Sequence, residues 1–136
     1  MDYKNQKDMF FRHLLTFPLI WMVLIPLIFF DFFLEIYHRI CFPLYGVPTV
    51  KRSSFFKIDR HRLSYLNLWD KINCMYCGYA NGLLQYACQI AGDTEKYWCG
   101  IKHAKYDDFK EPEHQKDFLE YGDEKAFLEK CKLEKK

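Results

Sequence analysis

Four residues in the middle of the chain have the types and the spacing of a metal site. The stretch INCMYCG contains Cys74 and Cys77, and the later stretch TEKYWCGIKH contains Cys99 and His103. Two thiolates separated by two residues can reach one ion from a single turn, and Cys-x3-His places two ligands on one face of a helix. A tetrahedron of three Cys and one His is typical of structural zinc. The spacing therefore predicts a zinc ion at these four residues, with iron as the alternative metal.

Two other interpretations of the cysteines stay open. Cysteine is among the most often buried residue types, so four of the six cysteines of the chain could simply pack. Cys74 and Cys77 could instead form a redox dithiol. Such a motif is expected where a strand meets a helix, and no strand pattern is visible around these residues.

A second group of polar residues follows the most apolar part of the chain. Asp31, Glu35 and His38 are spaced so that a helix would place them on one face. Glu-x2-His is the spacing of carboxylate-bridged di-iron helices, but those sites need a second such helix, which only a homodimer would supply here. The favoured interpretation is an interfacial polar face on which Glu35 and Arg39 form an i,i+4 ion pair.

The elements that must position the cysteines are predicted to be helical. Apolar residues recur at helical spacing over residues 63–104, which predicts two or three helices. Breaks are expected at residues 78–82 (GYANG) and at Gly92-Asp93. In a straight pair of antiparallel helices Cys74 would face Cys88, so the four-ligand set requires the chain to fold back at Gly92-Asp93.

The N-terminal part predicts a membrane anchor. Residues 14–30 contain no charge, and apolar residues continue to about residue 42. After a flank at residues 1–13, we expect an uncleaved helix over residues 14–42 that crosses the membrane once. Pro26 would also permit a re-entrant hairpin, but that arrangement would bury Glu35, His38 and Arg39 at membrane depth.

Charge on the two sides of the apolar run predicts its orientation. Three Lys or Arg precede the run, namely Lys4, Lys7 and Arg12, and six follow it between Arg39 and Arg62. Because positively charged flanks stay in the cytoplasm, the C-terminal part is expected on the cytoplasmic side of the inner membrane. The cysteines would then lie in a reducing compartment, which favours metal binding over disulfides.

Residues 43–62 and 105–136 are predicted to lie outside the folded helices. The first stretch mixes five Lys or Arg with Phe55 and Phe56, which suits either contact with anionic lipid headgroups or an ordinary solvated loop. Nucleic acid is not an expected partner, because the net charge is only +2 and no nucleic-acid motif is present. The second stretch is rich in charge and predicts a solvated tail.

The sequence resembles a family of small bacterial membrane-associated proteins of uncharacterised function. The segments IDRHRLSYLN, CMYCGYANG and TEKYWCGIKHA are similar to its pattern CxYCxYANG...TExYWCxIKH, over about residues 58–104. The resemblance implies a ligand set of Cys74, Cys77, Cys99 and His103 and does not require Cys88. Gly100 departs from the proline of that pattern. The resemblance implies no particular activity.

Together these patterns predict a mainly α protein. It has one N-terminal membrane helix, a small cytoplasmic helical domain stapled by zinc, and a charged C-terminal tail. The predicted role is binding or accessory, with membrane lipids and a membrane protein or a second copy of the chain as partners. The alternative is a membrane oxidoreductase or metal-handling enzyme with iron at the Cys/His residues or at Asp31, Glu35 and His38.

Overall fold

A computed structural model describes residues 9–134, and nearly all of its regular structure is helical. The helices are α1 (Met9–Tyr45), α2 (Leu68–Trp98) and α3 (Glu124–Glu134), with short 3-10 turns at Arg52–Ser54, Arg60–Arg62 and Glu113–Gln115. Within the described residues the only extended pairing is an isolated parallel bridge between Ile101 and Leu119. The mainly α prediction is confirmed. The chain divides into a first unit that ends at Ala87 and a second unit that begins at Cys88.

α1 is a single helix that exceeds the predicted anchor at both ends. It continues through Pro18 and Pro26, so the re-entrant hairpin is wrong. The helix ends where Gly46 takes a φ of +68° and the Val47 N–H donates to the Phe42 carbonyl at 2.9 Å. Its stretch Leu14–Tyr45 is long and apolar enough to cross a membrane.

α2 is also unbroken, and both predicted breaks are wrong. It begins after Asn67, whose side-chain oxygen accepts a hydrogen bond from the Asp70 N–H at 2.9 Å and so caps the first turn. It passes through Gly92 and Asp93 without interruption. It ends before Gly100, whose φ of +61° turns the chain away from the helix. A proline could not adopt that φ, so the departure from the family pattern at Gly100 matches the backbone found here.

The glycines of α2 serve close packing instead of helix termination. Residues 46–67, here called the return segment, lie against α2 at Gly78 and Gly82. A Cβ at Gly78 would lie 2.9 Å from the carbonyl oxygen of Lys57, and one at Gly82 would lie 3.0 Å from that of Phe55. Any larger residue would push the return segment away.

In the first unit α1 and the first part of α2 run parallel. The Phe17 ring contacts Trp69 at a centroid distance of 5.8 Å, and the His38 ring lies 5.6 Å from Tyr86. Residue numbers therefore increase in the same direction along both helices. The return segment connects the end of α1 to the start of α2. The half-buried rings of Phe55 and Phe56 pack 5.8 and 6.1 Å from the Tyr86 ring, and contact of this stretch with lipid headgroups stays a prediction.

The second unit contains more packed structure than the expected solvated tail. Gln115 and Phe118 are buried, and the Lys102 N–H donates to the Leu119 carbonyl at 2.8 Å. A Cβ at Gly92 would lie 3.0 Å from the His114 ring, so this glycine also allows a close approach. Residues 105–134 are therefore partly folded, and α3 is the short helix that includes Phe127 and Cys131.

Candidate functional site

Six side chains of the first unit form one polar cluster beside the apolar helix. α1 contributes three of them, the return segment one and α2 two. In chain order they are Asp31, Glu35, His38, Arg52, Tyr79 and Tyr86. We call this set the polar cluster. It joins the three elements of the first unit at one place.

Arg52 is the centre of the polar cluster. Its Nη1 and Nη2 donate to the two carboxylate oxygens of Asp31 at 2.5 and 2.6 Å, and Nη1 also donates to Glu35 Oε1 at 2.9 Å. The guanidinium carbon lies 4.0 Å from the centre of the Phe56 ring. The Asp31 and Glu35 carboxylates raise the pKa of Arg52 despite its partial burial. One fixed cation therefore compensates two half-buried carboxylates.

Tyr79 completes the hydrogen bonding of Asp31. Its hydroxyl donates to Asp31 Oδ2 at 2.9 Å, so that Asp31 accepts three hydrogen bonds. Burial and the Asp31 carboxylate raise the pKa of Tyr79 to about 12. Burial and the Glu35 carboxylate likewise raise the pKa of Tyr86 to about 12. Both phenols are therefore protonated donors at neutral pH.

His38 is held by hydrogen bonds at both ring nitrogens. The Val50 N–H donates to Nε2 at 2.9 Å, so Nε2 carries no proton. In the neutral ring the proton is then on Nδ1, which lies 2.9 Å from the Tyr86 hydroxyl oxygen and donates to it. The side chain is almost completely buried. His38 therefore fastens the return segment to both helices and has no lone pair left for a metal.

The predicted pair of Glu35 and Arg39 is confirmed, with Arg39 Nε donating to Glu35 Oε2 at 2.7 Å. Glu35 is not an exposed partner, however, because 19% of its side chain is accessible and Arg52 binds its second oxygen. The described residues contain no group of three or more His, Cys, Asp or Glu able to hold a metal. The arginines already occupy the carboxylates, so Asp31, Glu35 and His38 do not fit an iron site.

The hydrogen bonds of the polar cluster engage its charged and polar groups with one another. Each carboxylate accepts from an arginine, and each nitrogen of His38 is engaged. A general base or a nucleophile in the polar cluster would have to give up part of this network, because each oxygen of Asp31 and Glu35 already accepts at least one hydrogen bond. The role of the polar cluster is to hold the return segment between the helices. Sequence reasoning missed Arg52, Tyr79 and Tyr86, although two carboxylates on an apolar helix are a signal that a cation must lie nearby.

The four predicted zinc ligands belong to two different units of the chain, Cys74 and Cys77 to the first and Cys99 and His103 to the second. Cys74 and Cys77 lie on α2, Cys99 directly follows α2, and His103 lies in the segment after it. His103 instead contacts the Phe109 ring at a centroid distance of 5.3 Å. The required fold back at Gly92-Asp93 is absent, because α2 is continuous there. Among residues 9–134 there is no group of three or more His, Cys, Asp or Glu that could hold a metal, and the zinc site stays a prediction.

The alternative readings of the cysteines are also constrained. All six cysteines are free thiols and none is fully buried, with Cys77, Cys88 and Cys99 exposed. The interpretation as buried packing residues is therefore wrong for this conformation. The redox interpretation of Cys74 and Cys77 stays a prediction, and the pair lies inside a helix and not at a strand-to-helix junction.

A cleft of about 380 Å³ lies in the second unit, lined by Lys102, His103, Tyr106, Phe109 and Gln115 among others. Lys102, its central cation, is paired with Glu120 at 2.8 Å and with Glu111 at 3.4 Å. The charged groups of the cleft therefore compensate one another. No family model, curated protein or solved structure matches this chain.

Proposed function

We propose that this protein is a membrane-attached accessory protein of the bacterial inner membrane, with α1 in contact with lipid. The observation that carries the proposal is an apolar face along most of α1 that no described residue of the first unit covers. Large exposed residues of this face are Leu15, Leu19, Met22, Phe29, Phe33, Ile36, Ile40 and Leu44.

The exposure of this face is too extensive for a protein surface in water. Leu15, Phe29 and Leu44 have 76%, 61% and 77% of their surface accessible. Soluble monomers rarely expose continuous apolar patches of more than a few hundred Å². Each Å² of apolar surface transferred out of water stabilises by about 25 cal/mol, so lipid contact along α1 would be strongly favourable.

An accessory role is supported by the polar cluster. The charged and polar groups nearest to the membrane helix are engaged with one another, so they support binding and positioning and not turnover. The attached surface then presents α2 and the second unit to a partner, which is a membrane protein or a second copy of the chain.

Cytoplasmic placement of the C-terminal part rests on the distribution of Lys and Arg. Lys4 and Lys7, two of the three cations that precede the apolar run, lie outside the described residues. Of the cations that follow it, Arg52 is engaged by Asp31 and Glu35, whereas Lys51, Lys57, Arg60 and Arg62 are exposed. These exposed cations favour retention on the cytoplasmic side and contact with anionic headgroups.

Membrane fractionation with an alkaline carbonate wash tests the proposal. The unmodified chain is expected in the pellet and in the detergent extract. The double variant Met22→Lys, Phe29→Lys, which places two charges on the apolar face, should lose most of this attachment. The matched variant Asn81→Lys, on the exposed side of α2, should behave like the parent. A parent chain that is fully soluble without detergent would contradict the proposal.

A further inference from the structure

The first unit has two opposite faces of different character. Phe17, Asp31 and His38 mark the side of α1 that meets α2. The helical period places the exposed apolar residues of α1 on the side away from α2. The side of α2 that faces away from α1 is exposed and mostly polar, and it carries Asn73, Cys77, Asn81 and Gln85 together with the apolar Leu84.

The two helices that carry these opposite faces lie side by side over a long distance. The contacts between α1 and α2 reach from Phe17 and Trp69 to His38 and Tyr86. At ~1.5 Å per residue the stretch of α1 between these contacts is about 32 Å long. The hydrocarbon core of a bilayer is about 30 Å thick. The paired part of the helices is therefore as long as a membrane is thick.

A spanning arrangement is consequently difficult to reconcile with the packing of the first unit. If α1 crossed the bilayer, α2 and the return segment would cross with it. The mostly polar face of α2 and charged residues of the return segment such as Lys57 and Asp59, both exposed, would then lie at hydrocarbon depth. Exposed charge at that depth is strongly unfavourable. The pairing of Arg52 with Asp31 and Glu35 does not lower this cost for the charged residues of the return segment.

We propose that α1 lies in the plane of the membrane surface and binds one leaflet of a lipid bilayer through its apolar face. α2 and the return segment lie over it and face the water. This inference rests on the proposed membrane attachment and replaces the predicted single crossing with attachment from one side. It also explains why apolar exposure continues to Ile40 and Leu44, beyond what one crossing requires.

The inference follows from length and polarity together. A bare helix with the composition of residues 14–30 is typical of a membrane span. Here the helix has a polar-faced partner along one side, fixed by the polar cluster. The first unit therefore has an apolar side, formed by α1, and a polar side, formed by α2. A single interfacial helix is amphipathic in the same way.

Polarised infrared spectroscopy of the full-length chain in oriented bilayers of phosphatidylethanolamine and phosphatidylglycerol tests this arrangement. α1 and α2 contain most of the helical residues described, so the amide I dichroism should report helix axes parallel to the membrane plane. Axes close to the membrane normal would overturn the inference and leave the attachment itself intact.

A topology experiment gives a second and independent readout. Epitope tags at the two termini of the full chain should be accessible from the same side of sealed inner-membrane vesicles. Tags on opposite sides would show that α1 crosses the membrane and would overturn the inference alone. A chain recovered in the soluble fraction would overturn the proposed attachment and the inference with it.

Discussion

At the scale of single residues, the chain keeps two carboxylates on an apolar helix by giving them a shared cation. Asp31 and Glu35 receive that cation from Arg52, which lies on another element. The sequence predicts the pair of Glu35 and Arg39, because i,i+4 spacing is local. It does not predict Arg52, because the contact depends on how the return segment folds back.

The first prediction concerns Arg52→Gln. The variant leaves Asp31 and Glu35 half-buried without their shared partner, and we expect it to lower the free energy of unfolding by about 2 kcal/mol or more. Denaturant unfolding in detergent measures this change. Arg39→Gln is the matched control, since the Arg39 side chain is 76% exposed and solvent screening leaves its pair with Glu35 a much smaller contribution. Equal losses in both variants would contradict the central position of Arg52.

The second prediction concerns pH and the phenols. The pKa of Tyr79 and of Tyr86 is about 12 in the folded chain, above the value of about 10 for an unfolded tyrosine. Their raised pKa contributes stability that is complete below pH ~10 and is lost as pH rises towards ~12. Tyr79→Phe should reduce the slope of unfolding free energy in this window. Tyr65→Phe, at an exposed position, should leave the slope unchanged, and equal slopes in all three proteins would contradict the assignment.

At the scale of elements, the sequence predicts the helical character of the chain well and its interruptions poorly. The uncharged apolar run identifies α1, helical periodicity identifies the helical character of α2, and the Pro and Gly residues after Phe42 correctly mark the end of α1. Because glycine is a poor helix former, the sequence predicts breaks at the glycines of α2. Their use for the approach of the return segment is a tertiary contact that periodicity does not report.

The third prediction tests that contact with Gly82→Ala. In an ordinary helix interior this change stabilises by about 1 kcal/mol. Here the new methyl group would meet the Phe55 carbonyl oxygen at 3.0 Å, so we expect a net loss of about 1 to 2 kcal/mol. Thermal unfolding followed by circular dichroism measures the difference. Asn81→Ala, one residue earlier on the exposed side, is the control, and a stabilised Gly82→Ala would show that the return segment does not pack there.

At the scale of the whole molecule, composition predicts the mainly α fold and a helix able to enter a membrane. The predicted zinc ligand set depends on a fold back at Gly92-Asp93, and α2 is continuous there. Spacing along a sequence identifies ligands that one turn can bring together. It does not identify the path of a long helix between distant ligands.

The fourth prediction addresses the metal directly. Because the part of the chain that the structure describes contains no group of three or more His, Cys, Asp or Glu that could hold a metal, Cys99→Ser and His103→Ala should leave the metal content of the purified protein equal to that of the parent. Elemental analysis of the detergent-purified chains measures this content. Zinc that is stoichiometric in the parent and lost in both Cys74→Ser and Cys99→Ser would demonstrate the four-ligand site and a second conformation of α2.

The central claim is that the outer face of α1 contacts lipid while the outer face of α2 contacts water. Hydroxyl-radical footprinting of the full chain, read by mass spectrometry, tests this claim most directly. Oxidation of each residue is compared between the chain in lipid nanodiscs and the chain in detergent-free buffer. Lipid should protect Leu15, Phe29 and Leu44 from oxidation and leave Cys77 on α2 as reactive as Cys99. Protection of Cys77 to the same extent as the α1 residues would contradict the account, because α2 would then also lie within the membrane.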